Sequence, residues 1–96
     1  MKKISNEERV EKLEPFTRNG WIYLKDRDAI KKKFIFVNFV EAFGWMSKAA
    51  LLAEKMDHHP EWYNVFKIVE VTLTTHDANG LSNLDLILAE KLDALT

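Results

Sequence analysis

Residues 39–56 form the longest apolar pattern in the chain, and its period is that of an α-helix. Asn38, followed by Glu41, has the signature of a capping box and predicts where this helix begins. Pro60 disfavours helical geometry at the residue before it, so we expect the helix to end near His59. Two neighbouring apolar stripes are formed by Phe39, Phe43, Met46, Ala50 and Ala53, and by Trp45, Ala49, Leu52 and Met56.

Together these stripes make an apolar arc that is wider than one sheet face needs to cover. Two burial partners are therefore expected: the protein's own sheet and a second subunit. The competing interpretation is a core that lies wholly within one chain. We favour self-association because a small domain has only a modest core of its own.

Segments rich in β-branched and aromatic residues predict four strands. Residues 21–24 and 31–37, separated by a polar turn, predict a hairpin. Residues 63–75 are long for one strand in so small a domain, so we expect a bend near Lys67 that divides them. In the second part, apolar residues alternate with polar ones, which predicts one buried and one solvated face; the apolar set is Val69, Val71 and Leu73.

Capping signals also predict a helix at each end of the chain. Ser5 with Glu8 predicts a short helix over residues 6–13, which Pro15 should end. Ser82, with Asp85 in the first turn, predicts the last helix after a turn at residues 76–80. The order α-β-β-α-β-β-α predicts the α+β class: a two-layer fold with a four-stranded antiparallel sheet and helices packed on one face. We expect residues 1–96 to form a single domain.

Composition excludes several classes of function. Lys and Arg number 14 against 15 Asp and Glu, a net charge of -1, so no overall attraction to nucleic acid or anionic lipid is expected. The run at residues 31–33 is then better explained as a solvated strand end than as a nucleic-acid patch. The absence of cysteine excludes disulfide, thiolate and zinc-thiolate chemistry. Neither a secretory signal nor a membrane span is recognisable, so we expect a cytoplasmic protein without membrane contact.

The candidate chemistry is centred on His58 and His59, with His76 further along the chain. A metal site is disfavoured because adjacent side chains on a helix diverge by about 100 degrees. The rings could instead have structural roles, capping helix carbonyls or occupying a turn. The third possibility is general acid-base catalysis, which suits side chains that titrate near neutral pH. Trp21 and the pair at residues 62–63 either present flat surfaces to a planar ligand or pack in the core.

The sequence resembles the pterin-4a-carbinolamine dehydratases, a family also called dimerisation cofactor of a hepatocyte homeodomain transcription factor. The resemblance runs from about residue 13 to the end of the chain. It rests on three groups of residues: Glu54-x-x-Asp57-His58-His59-Pro60-Glu61-Trp62-Tyr63-Asn64-Val65, Thr72-x-x-Thr75-His76-Asp77, and Gly80-Leu81-Ser82 with Asp85. Further matches are Trp21 after Gly20, Arg27-Asp28-Ala29-Ile30 and Ala42-Phe43-Gly44. Leu84 departs from the arginine that is common in animal members.

The resemblance implies dehydration of 4a-hydroxytetrahydropterin to quinonoid dihydropterin, which regenerates the pterin of aromatic amino acid hydroxylases. It implies no metal and no cofactor. The catalytic residues it implies are His58, His59 and His76. Substrate contacts are implied for Pro60, Thr75, Asp77, Ala78, Trp21 and Glu54, with Asp57 and Asp85 in support.

The resemblance also implies a homodimer or homotetramer. An alternative function is a protein-interaction module that acts as a dimerisation cofactor or transcriptional coactivator, because animal relatives bind a transcription factor. The complete histidine set favours the enzyme. One geometric condition follows from strand alternation, which directs His76 away from the Val71 side of the sheet. We therefore expect the histidines to meet at the rim of the sheet.

Overall fold

The computed structural model describes residues 2–96, which form three α-helices and one four-stranded sheet. Neighbouring strands are antiparallel and follow the order β1-β2-β4-β3. The predicted fold class and element order are confirmed. In chain order the elements are α1 (Asn6–Arg18), β1 (Ile22–Leu24), β2 (Ala29–Ile35), α2 (Phe39–Met56), β3 (Glu61–Val65), β4 (Ile68–Leu73), a short 3-10 helix (His76–Ala78) and α3 (Asn83–Ala94).

The core lies between the sheet and the helices. The three alternating apolar residues of β4 are fully buried, as predicted, and two large side chains of β2 are opposite two of them in register. The division of residues 63–75 at Lys67 is also confirmed, since β3 ends at Val65 and β4 begins at Ile68. The β4 residues are Val69, Val71 and Leu73, and the β2 residues are Ile30 and Phe34.

Helix α2 has the bounds that the pattern predicted. The Glu41 backbone N–H donates to the Asn38 side chain at 2.9 Å, which satisfies one of the free donors at the helix start. At the other end Asp57 adopts the left-handed conformation, with φ of 51°, and the chain turns back on itself. The His58 backbone N–H then donates to the Ala53 carbonyl at 3.1 Å. These contacts fix the backbone of His58 directly to the end of a rigid helix.

Helix α1 is longer than predicted, because it continues through Pro15 to Arg18. A proline inside a helix removes a hydrogen bond and costs about 3 kcal/mol. Burial of Leu13 and the packing of Phe16 against the core offset this cost. The Phe16 carbonyl also accepts a hydrogen bond from the Trp21 N–H at 3.0 Å, which connects the end of the helix to the sheet.

Two strand boundaries also differ from the prediction. Strand β2 occupies residues 29–35 rather than 31–37, because the hairpin turn is tight and pairs Leu24 with Ala29. Strand β3 begins at Glu61 rather than at residue 63, since Glu61 pairs with Thr72. The shift is consequential, because it places Glu61 at the end of the sheet where the histidines lie.

The sheet covers only part of the apolar arc of α2. Ala42, Trp45 and Ala49 are buried, whereas several large apolar side chains of the same helix face solvent in the single chain. The exposed fractions are 74% for Val40, 57% for Phe43 and 74% for Leu51. None of the helices within residues 2–96 has both the length and the hydropathy needed to cross a bilayer.

Candidate active site

A cavity of about 360 Å³ lies at the rim of the sheet, where the α2–β3 corner meets the segment that follows β4. It brings together the three histidines, which come from two distant parts of the chain. Strand β4 ends at Leu73, so His76 is free of the strict alternation that would have kept it apart from the corner. The lining residues are Asp57, His58, His59, Pro60, Glu61, Thr74, Thr75, His76 and Asp77.

His58 is the buried histidine of the set, and a buried carboxylate holds it. Its Nε2 lies 2.6 Å from Oδ1 of Asp85, which has no exposed surface. An ionised carboxylate only accepts hydrogen bonds, so Nε2 of His58 carries the hydrogen. Nδ1 is then the atom of the neutral ring that can accept a proton. Asp85 therefore sets both the orientation and the tautomer of His58.

The second oxygen of Asp85 is held by the start of α3. Oδ2 accepts hydrogen bonds from the Ser82 backbone N–H at 2.9 Å and from the Thr75 hydroxyl at 2.7 Å. The Thr75 and Ser82 hydroxyl oxygens lie 2.6 Å apart. Helix capping and the orientation of His58 thus depend on the same carboxylate, which joins the scaffold directly to the site.

His59 points away from this network and remains exposed. Its Nε2 lies 2.9 Å from Oε1 of Glu54, one turn back along α2. Both side chains are in contact with solvent, so the pair is weak on its own. Glu54 therefore contacts a candidate catalytic ring, although it does not line the cavity itself.

His76 is the most exposed of the three, with 80% of its side chain accessible. Its Nε2 lies 3.5 Å from Oε2 of Glu61. Arg27 donates two hydrogen bonds to Glu61, both at 2.8 Å, in the bidentate geometry of a guanidinium and a carboxylate. Hydrogen bonds from Arg27, acting against the effect of burial, hold the pKa of Glu61 below its ordinary value, and His76 acts in the same direction.

A second carboxylate anchors the segment that carries His76. Asp28 accepts hydrogen bonds from Tyr23 at 2.7 Å, from Arg9 at 3.1 Å through each of its oxygens, and from the Leu81 N–H at 3.1 Å. Burial acts to raise the pKa of Asp28, but hydrogen bonds from Tyr23, Leu81 and Arg9 outweigh it and hold that pKa below its ordinary value. Asp28 therefore connects α1 and the hairpin to the loop before α3.

Besides Glu54, two predicted substrate contacts lie outside the cavity, Trp21 and Ala78. Trp21 is 1% exposed, and its Nε1 donates to Asp93 at 2.9 Å, so within the single chain it packs in the core. Ala78 lies one residue beyond the lining residues, in the 3-10 helix. The sequence reasoning missed Glu61 and Arg27 as site residues. Both were within the recognised motifs, but only the fold shows that they meet at His76.

The described residues contain no group of three histidine or acidic side chains arranged to hold a metal ion. Instead, the Nε2 atoms of His58, His59 and His76 each face a different carboxylate. This leaves three separate imidazole-carboxylate pairs around one cavity. Such pairs can orient a ring, and proton transfer to and from a bound molecule requires a ring in a fixed position.

Comparison with known proteins identifies the family of the chain. The pterin 4 alpha carbinolamine dehydratase family profile matches residues 2–95. A putative pterin-4-alpha-carbinolamine dehydratase of Roseobacter denitrificans is 58% identical over 93 residues, which are 97% of this chain and 95% of that protein. The pterin-4-alpha-carbinolamine dehydratase of Drosophila melanogaster is 47% identical over 95% of this chain and 47% of its own length.

Solved structures show the same fold. The crystal structure of a transcriptional coactivator/pterin dehydratase from Brucella melitensis superposes with a TM-score of 0.88 and 44% identity, over 97% of both chains. A pterin dehydratase-like RuBisCO assembly factor of the alpha-carboxysome shares the fold, with a TM-score of 0.70 and 22% identity over 79% of this chain and 88% of its own. From the match over nearly the whole sequence and the identities above, the chain belongs to the pterin-4-alpha-carbinolamine dehydratase family.

Proposed function

We propose that this protein dehydrates a 4a-hydroxytetrahydropterin to the quinonoid dihydropterin by histidine acid-base catalysis. The observation that supports this most directly is the meeting of His58, His59 and His76 around one solvent-open cavity. The reaction needs no redox partner, because its products are water and the dihydropterin.

In the reaction the bond between C4a and the hydroxyl oxygen breaks, and the N5–H bond gives up its proton. A protonated imidazole donates to the departing hydroxyl, which leaves as water. A neutral imidazole accepts the N5 proton, so the two transfers balance. Each well-placed group of this kind contributes roughly 100- to 10,000-fold to the rate.

His59 and His76 are the main proton-transfer pair in this proposal. His58 orients the substrate or takes part in the proton transfers. The exposed rings can exchange protons with solvent after each turnover, whereas His58 is enclosed and held by Asp85. Pro60, Thr75 and Asp77 line the cavity and are the proposed substrate contacts.

Single alanine variants test this assignment. The substrate is generated enzymatically, and its loss is followed by ultraviolet absorbance with and without the protein. H59A and H76A are each expected to reduce the catalysed rate by about 100-fold or more. E70Q is the control, since Glu70 lies on β4 away from the cavity and pairs with Lys31. Near wild-type rates for both histidine variants would contradict the assignment.

The physiological role that follows is regeneration of tetrahydrobiopterin for aromatic amino acid hydroxylases in the cytoplasm. A coupled assay tests it, with a hydroxylase, a dihydropterin reductase and limiting pterin. Added protein should increase the sustained rate of amino acid hydroxylation, and H76A should not. No increase at any protein concentration would refute this role.

The outer surface of α2, defined here as Val40, Phe43 and Leu51, supports a homodimer or homotetramer. Large exposed apolar side chains on one helix are typical of an interface. Sedimentation velocity should show an oligomer that F43D converts to monomer. A monomeric wild type would instead favour the alternative function, in which this surface binds another protein, as the coactivator description of the Brucella relative suggests.

A further inference from the structure

Glu61 contacts His76 from another strand, and the proposed mechanism assigns it no role. It is the first residue of β3, and its Oε2 lies 3.5 Å from Nε2 of His76. Both residues line the cavity. Because His76 stands on a single turn of 3-10 helix and is largely exposed, packing alone does not fix its ring.

Arg27 fixes Glu61 in turn. Its guanidinium donates to both carboxylate oxygens of Glu61, so the planar group has one orientation rather than many. Arg27 belongs to the turn between β1 and β2, and Glu61 is 34 positions away in the sequence. The Arg27–Glu61 pair thus connects the turn between β1 and β2 to the first residue of β3. Glu61 in turn contacts His76, which follows β4.

We propose that Glu61 is a positioning residue for His76 and that Arg27 acts on His76 through Glu61. This rests on the proposed function, in which His76 transfers a proton. The carboxylate restricts the orientation of the ring at the edge of the cavity. The depressed pKa of Glu61, caused first by the hydrogen bonds from Arg27, agrees with a carboxylate that stays charged.

Other charged groups also surround His76, and the experiment has to separate Glu61 from them. The turn after β1 contributes a second charge beside Arg27, the 3-10 helix contributes an acid next to His76, and the α2–β3 corner contributes an acid and two imidazoles. These groups are Asp26, Asp77, Asp57, His58 and His59. A double-mutant cycle isolates the contribution of Glu61.

The cycle compares E61Q, H76Q and the double variant, with E70Q as the matched control on the same sheet. E61Q is expected to lower kcat/KM about two- to fivefold, the range typical of an exposed ion pair. The loss should appear in kcat rather than in KM, because the carboxylate orients a ring that transfers a proton and does not itself hold the substrate. In the H76Q background the same E61Q change should have no further effect. E70Q should leave both kcat and KM unchanged.

A measurement without turnover keeps the test independent of activity. Carboxyl-carbon NMR should show a higher pKa for Glu61 in H76Q than in the wild type, and a still higher pKa in R27Q, because Arg27 lowers this pKa more than His76 does. A Glu61 pKa that is the same in H76Q as in the wild type would overturn the proposal. So would an E61Q variant that lowers kcat/KM by the same factor in the presence and in the absence of His76. An inactive wild type would refute the proposed function instead, while the NMR comparison would still decide whether Glu61 and His76 are coupled.

Discussion

Replacing Asp85 with asparagine tests whether one carboxylate supports both the fold and the site. Asp85 has no exposed surface and accepts hydrogen bonds from His58, Thr75 and the Ser82 N–H at 2.6, 2.7 and 2.9 Å. Asparagine has nearly the same shape but only one acceptor oxygen. If that oxygen stays with Thr75 and Ser82, the amide NH₂ faces His58, and the ring must change its tautomer.

The magnitude follows from these contacts. A hydrogen bond to a charged group contributes about 1.5–3 kcal/mol and a neutral one about 0.5–1.5 kcal/mol, so three bonds lose about 3 kcal/mol together. A neutral amide costs less to bury than a carboxylate, which offsets part of this loss. We expect the free energy of unfolding to fall by about 2 kcal/mol. For a domain of this size that corresponds to a decrease in Tm of about 8–16 °C.

Urea unfolding followed by tryptophan fluorescence measures the stability loss, and dehydration kinetics measure the loss of function. D93N is the matched control, because Asp93 is a second acid of α3, partly buried, and accepts hydrogen bonds from Trp21 and Lys32 at 2.9 and 2.7 Å. D93N should destabilise the protein but retain kcat/KM, whereas D85N should reduce both. Equal catalytic losses in the two variants, or a stability loss below about 0.5 kcal/mol in D85N, would refute the reasoning.

Three further changes test the scaffold. The pKa of Asp28 is lower in the folded state than its ordinary value of about 4. The stabilisation that Asp28 provides is therefore complete above about pH 4 and is lost as the pH falls through the folded-state pKa. The D28N variant should accordingly show a smaller decrease in unfolding free energy than the wild type below about pH 5. G80A should cost about 1–3 kcal/mol, because Gly80 has a φ of 156° and an added Cβ would collide with the Asp28 carboxylate; a thermal melt like that of the wild type would contradict this. N38A should lower the free energy of unfolding by about 1 kcal/mol, because it removes the cap of α2. If N38A has no effect and only Glu41→Ala is destabilised, the cap is not the cause.

Local signals made most of the fold predictable. The Asn38 cap begins α2, and Asp57 in the left-handed conformation ends it three residues before Pro60, so both signals act within a few residues. Pro15 misled the prediction because its effect on helix α1 is local, whereas the burial of Leu13 that outweighs it is tertiary. Helix ends that depend on long-range packing are thus the ones that a periodic pattern places badly.

The candidate site divides in the same way. The adjacency of His58 and His59 is visible in the sequence, and strand alternation identified the rim as the place where His76 could join them. The contacts from Arg27 to Glu61 and from Glu61 to His76 were not predictable, because they connect three separate segments of the chain. Neither a hydrophobic period nor a capping residue in the sequence indicates them. Trp21 was predicted as a substrate contact but packs in the core, because an aromatic residue in a motif is equally suited to core packing and to lining a pocket.

The three imidazole-carboxylate pairs differ in rigidity, and that difference matches a division of labour. His58 is enclosed, and its carboxylate is fixed by the first turn of α3, so its ring has one orientation. His59 and His76 stand on a corner and a single 3-10 turn, with partners that are themselves exposed. A catalyst that donates one proton and accepts another in each cycle must restore both rings from solvent before the next substrate binds. Solvent-exposed rings can do this quickly, whereas an enclosed ring is better suited to orienting a substrate, which is why we propose the two exposed histidines for the proton transfers.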